Sequence, residues 1–336
     1  MSEALREALR AWYDEEGRRF VWRETQDPYR IWIAETFLQQ TQIAQVERRL
    51  LAFLARYPTL KALVEAEESE VLRLWQGLGY YQRVHNLLRA AQALWQQGGW
   101  TRITESTDPL RALLALPGIG PYTARAILSF ARWGAYLPVD GNVARILSRL
   151  WGDPTPLGQR HYYQKKADAL PETWRQPWVA FALMDLARLV CLPRRPRCET
   201  CPLRAECQAF HSGKPAQFPA PRPTKPKPIQ QWIFLIYATP EAVWLERRPA
   251  KGLWGGLWCL PLERPTQPLP NSPVFRHAFS HFQLWGYVKF LSAPLPATNP
   301  VAWSELERYA LPAPIRRLLQ RLAFSPSSFT AELFRP

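Results

Sequence analysis

Four of the five cysteines fall within residues 191–207, at Cys191, Cys198, Cys201 and Cys207, with six, two and five residues between them. Four thiols on one short stretch are the donor set of a metal centre; free thiols grouped this way by chance are about a one-in-twenty case. Zinc and a 4Fe-4S cluster both accept four thiolates, but zinc sites more often join two short cysteine hooks across a longer loop, so the single run favours iron and sulfur. Arg194, Arg195 and Arg197 lie in the first interval and could offset the charge of such a centre or meet a polyanion. Two carboxylates are the other candidates for chemistry. Glu35 has Ile31 and Leu38 as its i−4 and i+3 neighbours. A carboxyl near an apolar stripe holds its proton toward neutrality and can serve as a general acid. A surface glutamate paired with arginine is the plainer reading of the same pattern. Asp140 stands before a helix with Val143, Ile146, Leu147 and Leu150 on its apolar face. There it is either a simple N-cap or an anion kept charged by helix-end N–H groups. A desolvated acid and a helix-held anion form the unlike pair that glycosidic cleavage through an oxocarbenium-like state needs. Spacing alone does not tell whether the two meet.

The elements that must position these groups are mostly helices. Apolar residues recur at helical spacing over Val46–Leu54, Val71–Trp75 and His85–Trp95, so an all-α domain is expected over residues 1–212. Within it, Leu116–Ala124 reads LPGIGPYTA between two apolar helical stretches and resembles a helix-hairpin-helix. Gly118 and Gly120 would let a phosphate reach backbone N–H groups, while Pro121 opens a helix whose dipole favours an anion. Pro-Gly turns also join helices that bind nothing; basic neighbours tilt this one toward DNA.

Lys and Arg outnumber Asp and Glu by 43 to 28, a formal charge of +15 that suits a polyanionic partner. Only 8 of the 43 are Lys, so an arginine-rich genome or adaptation to heat accounts for the charge equally well. The first twenty residues alternate charged and apolar positions and lack a signal-peptide core, and no apolar run approaches the ~20 residues of a membrane helix. A cytoplasmic protein, associated with the nucleoid if bacterial, is expected, with no membrane partner. Cys259, between Trp258 and Leu260, reads as a packed core thiol.

Six prolines, four basic residues and no acid between Lys214 and Pro228 predict an extended linker over 213–228. Beyond it, Trp232–Tyr237 and Val243–Glu246 look like a hairpin, Phe275–Phe290 like a second strand pair, and Pro314–Leu322 like an amphipathic helix. The fold class is therefore multidomain: an all-α domain with a cysteine loop, then a smaller α+β domain over 229–336.

LQQTQ after Glu35, GLGYY at 77–81, the hairpin, VDGNV and the cysteine spacing together resemble the adenine DNA glycosylase (MutY) family over nearly the whole chain. The first part is also similar to endonuclease III. Bifunctional enzymes of that kind place a Schiff-base lysine where this chain has Tyr122, so the resemblance implies a monofunctional glycosylase. It implies that Glu35 protonates a flipped adenine and Asp140 stabilises the sugar cation, with Tyr122 and Asn142 supporting them. Gln40 and Tyr80 resemble residues that enter the duplex, although either of Tyr80 and Tyr81 could be core. Trp22 and Arg23 resemble the entrance of the adenine pocket, with Phe20-Val21 departing from the usual Leu-Pro. LERRPAKGLWGGLWCLP and Phe279, Ser280 and His281 resemble a Nudix-like domain that inspects the oxidised base; a polar pair on an exposed strand is the alternative. The glutamate-rich magnesium helix of active Nudix enzymes is missing, so pyrophosphatase activity is not expected.

The resulting expectation is a monomeric base-excision-repair enzyme with a 4Fe-4S cluster that hydrolyses the N-glycosidic bond of adenine opposite 8-oxoguanine or guanine in duplex DNA. A related helix-hairpin-helix glycosylase of other base specificity and a non-catalytic DNA-damage binding protein are the alternatives. The C-terminal domain argues against the first, and Glu35 with Asp140 against the second.

Overall fold

The computed structural model describes residues 1–39, 41, 43–221, 226–249 and 252–323. Gln40, residues 222–225 of the proline-rich stretch, and Ala250 and Lys251 of the Nudix-like motif lie outside these. The helices run α1 Glu3–Glu16, α2 Pro28–Leu38, α3 Ile43–Arg56, α4 Leu60–Val64, α5 Glu68–Trp75, α6 Gln82–Gln96 and α7 Thr101–Thr104. They continue as α8 Pro109–Leu114, α9 Pro121–Phe130, α10 Gly141–Trp151, α11 Arg160–Asp168, α12 Pro177–Leu189, α13 Gln208–His211 and α14 Ala313–Ala323. Strands are confined to the C-terminal part: β1 Ile229–Ile236, β2 Ala242–Arg247, β3 Trp258–Cys259, β4 Leu262–Glu263, β5 Phe275–Ala278, β6 Gln283–Phe290 and β7 Asn299–Ala302. Among the described residues no helix is long and apolar enough to cross a membrane.

By internal packing the chain divides into two units, Met1–Val64 with Asn86–Pro223, and Glu65–His85 with Thr224–Pro336. Residues 65–85, which periodicity alone assigns to the helical N-terminal domain, thus group with the strands. Within the proline-rich stretch the Phe218 carbonyl accepts from Arg149 Nε at 3.0 Å and Ala220 N–H donates to the Pro154 carbonyl at 3.0 Å.

In the helical unit α2 is the central element. Asp27 caps it, accepting from Tyr29 N–H at 2.9 Å, and Pro28 takes the first turn, where no N–H is missed. Every residue from Ile31 to Phe37 is buried, the condition of a helix that is apolar all round and lies inside its domain. It packs on α3, where Phe37 meets Phe53 edge to face at 5.2 Å, and on α9. Helix α10 buries Val143, Ile146, Leu147 and Leu150 as its pattern predicts, packs on α12, and ends at Gly152 in the left-handed region, φ +62°.

In the second unit one sheet has the order β4-β1-β6-β5 and the other β3-β2-β7. The hairpin expected from Trp232 to Glu246 survives only at its turn, where Ala238 bridges Val243 and Trp244 N–H donates to the Tyr237 carbonyl at 3.0 Å. The strands then part. β1 is occupied on both edges, parallel to β6 along its length, Ile229 opposite Gln283 through Ile236 opposite Phe290, and antiparallel to β4. The strand pair at Phe275–Phe290 forms as β5 and β6. Ile315, Leu318, Leu319 and Leu322 are the buried face of α14. Cys259 is fully buried.

Candidate active site

Because α2 is buried on every side from Ile31 to Phe37, Glu35 is a carboxyl inside the protein, 6% exposed. Burial pushes its pKa up to about 7. A hydrogen bond with Tyr122 and the charge of Arg23 oppose that rise, while the negative charge of Asp140 adds to it. Tyr122 belongs to the first turn of α9, the helix packed on α2, and its phenol is pushed well above its ordinary range, first by burial and then by the charges of Glu35 and Asp140. The two carboxylates and the phenol therefore act on one another, although more than a hundred residues separate Glu35 from Asp140.

Asp140 is the N-cap of α10. Its Oδ1 accepts from the N–H groups of Asn142 at 2.9 Å and Val143 at 2.7 Å, and its Oδ2 accepts from Asn142 Nδ2 at 2.9 Å. Asn142 in turn accepts from both terminal nitrogens of Arg145 at 3.3 Å. One carboxyl is thus desolvated and the other ringed by N–H donors, so the two stand in unlike surroundings. The N-cap expected from its place before α10 is the role the hydrogen bonds show for Asp140.

Arg23 is less available than an entrance residue would be. It makes a two-point ion pair with fully buried Asp185, at 2.7 and 3.0 Å, and lies over the rings of Phe20 and Phe181 at 4.9 Å each. Its charge still reaches Glu35 and Tyr122. Trp22 stacks on Phe20 at 4.5 Å and borders a groove of about 340 Å³ with Val21, Arg30, Glu47 and Leu51. Asp185 escaped the sequence reading; its signal was a lone acid within the apolar run of α12.

At the hairpin Gly118 has φ +76°, and a Cβ there would come within 2.6 Å of Asn86 Cβ. Gly120 caps α9 with an ordinary φ of −88°, and a Cβ on it would meet nothing within 4 Å. The two glycines therefore serve different ends. Gly118 makes the turn, whereas Gly120 leaves the mouth of α9 open, with no side chain capping its N–H groups.

The four cysteines line one pocket, partly open, together with Arg149, Pro196, Arg197, Arg204 and Phe210. Burial, with the neighbouring thiols, pushes Cys201 up to about 12 and raises Cys198 and Cys207, so these thiols need a cation to share before they ionise together. Among the described residues no three His, Cys, Asp or Glu side chains close on one metal ion. Arg149, 2% exposed, donates to Cys191 Sγ at 3.2 Å and to the carbonyls of Cys191, Leu192 and Pro193. Arg145 donates to the Cys191 carbonyl at 3.1 Å. Both arginines were missed; their trace in the sequence is an i, i+4 pair of charges inside a strongly apolar helix.

In the second unit Tyr80 is 45% exposed at φ +50° and Tyr81 is buried, which separates two tyrosines that the sequence left equivalent. Ser280 and His281 form the exposed tip between β5 and β6, closed by Phe279 N–H donating to the Phe282 carbonyl at 2.9 Å. Phe279 stacks on Phe282 at 4.4 Å, and Ser280 Oγ lies 3.2 Å from His281 Nδ1. Residues 264–274, after β4, form no helix.

Comparison with known proteins finds a family match in each of two stretches of the chain. Residues 33–171 match the HhH-GPD superfamily of base excision DNA repair proteins, and residues 232–321 match the NUDIX domain. Among solved structures, a thermostable thymine-DNA glycosylase aligns at 25% identity with a TM-score of 0.55, covering 62% of this chain and 95% of that one. An endonuclease III–DNA complex aligns at 20% identity and TM-score 0.50, covering 62% and 94%, and shows the fold. Adenine DNA glycosylase of Buchnera aphidicola is 27% identical across 93% of this chain and 94% of its own length. The human adenine DNA glycosylase is 30% identical across 88% of this chain and 62% of its own. That of Mycolicibacterium smegmatis is 36% identical, covering 62% of this chain and 70% of its own. With that identity, the helix-hairpin-helix profile and the second domain in agreement, the chain belongs to the adenine DNA glycosylase family.

Proposed function

We propose that the chain is a monofunctional glycosylase that hydrolyses the N-glycosidic bond of adenine paired with 8-oxoguanine or guanine in duplex DNA. The observation that carries this is the buried Glu35 carboxyl, raised to about 7 and coupled to both Tyr122 and Asp140. Glu35 donates its proton to N7 of an extruded adenine, making the base a neutral leaving group. As the C1′–N9 bond lengthens, positive charge grows on the sugar and the Asp140 carboxylate stabilises it, electrostatically or as a transient adduct. Water then adds its oxygen to C1′ and gives up a proton to solvent or back to Glu35, leaving an abasic site and free adenine. Tyr122 holds the acid through its hydrogen bond, and Asn142 holds the anion. With a phenol in place of an amine at position 122, no Schiff base forms and the strand stays intact.

Duplex DNA is the partner read from the +15 charge, the open mouth of α9 and the family. Tyr80, with Gln40, enters the base stack as the adenine leaves it; Ser280 and His281 read the opposite base. Cys191, Cys198, Cys201 and Cys207 would hold a 4Fe-4S cluster, whose bonds to four thiolates would cross-link the 191–207 loop. The four-thiol donor set on one pocket supports this.

Labelled duplexes with adenine opposite 8-oxoguanine, adenine opposite guanine, or thymine opposite guanine test the reading. Breaks at adenine that appear only after alkali are expected. Breaks without alkali would mean a lyase, cleavage at thymine another specificity, and an intact strand throughout a binding protein.

A further inference from the structure

Between α5 and α6 the chain turns through Gly77 and Gly79, at φ +84° and +69°, and then holds Tyr80 at φ +50°. A bulky residue seldom adopts that region, so something nearby must over-determine it. Beneath the turn lies Arg83, 9% exposed. Its Nη2 donates to the carbonyls of Leu78 at 3.2 Å and Gly79 at 3.1 Å, and its backbone N–H donates to the Tyr80 carbonyl at 2.9 Å. The guanidinium lies over the ring of Trp75 at 4.8 Å and that of Tyr80 at 5.7 Å. Trp75 Nε1 donates to the same Gly79 carbonyl at 3.1 Å. Burial pulls the Arg83 pKa down to about 10, which still leaves it charged at neutrality. Burying a cation this far is a poor way to gain stability, but a planar fork with fixed donors is a good way to set the shape of a turn.

We propose that Arg83 is a positioning residue for nucleotide extrusion: by clamping the carbonyls of Leu78 and Gly79 and backing the Tyr80 ring, it keeps that tyrosine pointed outward before DNA arrives. This rests on the reading of Tyr80 as a residue that enters the duplex. A side chain already ordered loses little freedom on insertion, so its contact with the bases goes into opening the stack.

The test uses the full chain and a duplex with adenine opposite 8-oxoguanine and 2-aminopurine beside the adenine, whose fluorescence rises rapidly on mixing as stacking is broken. Arg83→Met keeps the packing and removes the clamp. The expected result is a rapid phase reduced to the level of Tyr80→Leu, single-turnover excision slowed about tenfold or more, and a double variant no slower than Tyr80→Leu alone. Arg83→Lys, which retains the charge but not the fork, should recover part of the rapid phase. A rapid phase intact in Arg83→Met but lost in Tyr80→Leu would overturn the proposal, as would losses that multiply in the double variant. If Arg83→Met does not fold, Arg83→Lys takes its place, and no loss there overturns the proposal equally. A rapid phase that survives Tyr80→Leu would instead remove the wedge reading itself.

Discussion

In the proposed function the proton given to the base is the one that burial keeps, toward neutrality, on the Glu35 carboxyl. Its folded pKa of about 7 lies above the ordinary 4.5, so the protonated form is the one the fold prefers. Its stabilising share is complete below pH 4.5 and is lost as pH rises through 7. The difference corresponds to roughly 3 kcal/mol for a group this deeply buried. Glu35→Gln should therefore be more stable than the parent at pH 8.5, by up to about that amount, and nearly equal to it at pH 4.5. It should also fail to excise adenine. Denaturant midpoints at the two pH values check the first claim; an unchanged difference between them would contradict it. Parent excision should decline as pH rises above 7. The apolar neighbours of Glu35 made a raised pKa legible in the sequence, yet a surface ion pair looked the safer reading. What the pattern could not carry was the burial of every residue from Ile31 to Phe37 in α2, which depends on packing against α3 and α9. Arg23 was legible as a residue type and not as a partner of Asp185, because that pair joins segments far apart in the chain.

Among elements, the hairpin offers the sharpest contrast. Gly118 and Gly120 are alike on paper, but only the first occupies the left-handed region and only the first would collide with a neighbour. Gly118→Ala should destabilise the protein by about 2 kcal/mol, seen as a lowered melting temperature, because the methyl meets both a backbone penalty and Asn86. Gly120→Ala should leave stability within about 0.5 kcal/mol and weaken duplex binding about tenfold, since its methyl points into the open mouth of α9. Equal losses of stability in the two variants would remove the distinction. Helix periods fixed α3, α5, α6 and α14 well from sequence because amphipathic spacing is local. Partners of β1 were not legible: its edges are taken by β6 and β4 rather than by the next strand, a choice made by packing across distant segments.

For the whole molecule, the proposed function assigns excision to Glu35 and Asp140 in one unit and discrimination to Ser280 and His281 in the other. Replacing Ser280 and His281 together with alanine should reduce the preference for adenine opposite 8-oxoguanine over adenine opposite guanine by about tenfold, while excision opposite guanine changes little. Rates on the two substrates, measured under single turnover, decide it; parallel losses would take the reading role away from that tip. The change of pattern at the proline-rich stretch was visible in composition. The membership of residues 65–85 was not, because their helical period says that a face is buried and is silent about what covers it.

That membership has a practical side. Leu72 and His85 stand against Gly256, where a Cβ would be 2.7 Å from His85 Cε1, and Gln76 donates to the Leu311 carbonyl at 3.4 Å. A gene fragment opened at residue 224 would encode a piece with one of its own walls left upstream. Expressed by itself, it should be poorly soluble, and a synthetic peptide spanning 65–85 should rescue it in trans; anyone dividing this gene into two cassettes would do better to let the parts overlap than to cut where the prolines invite it.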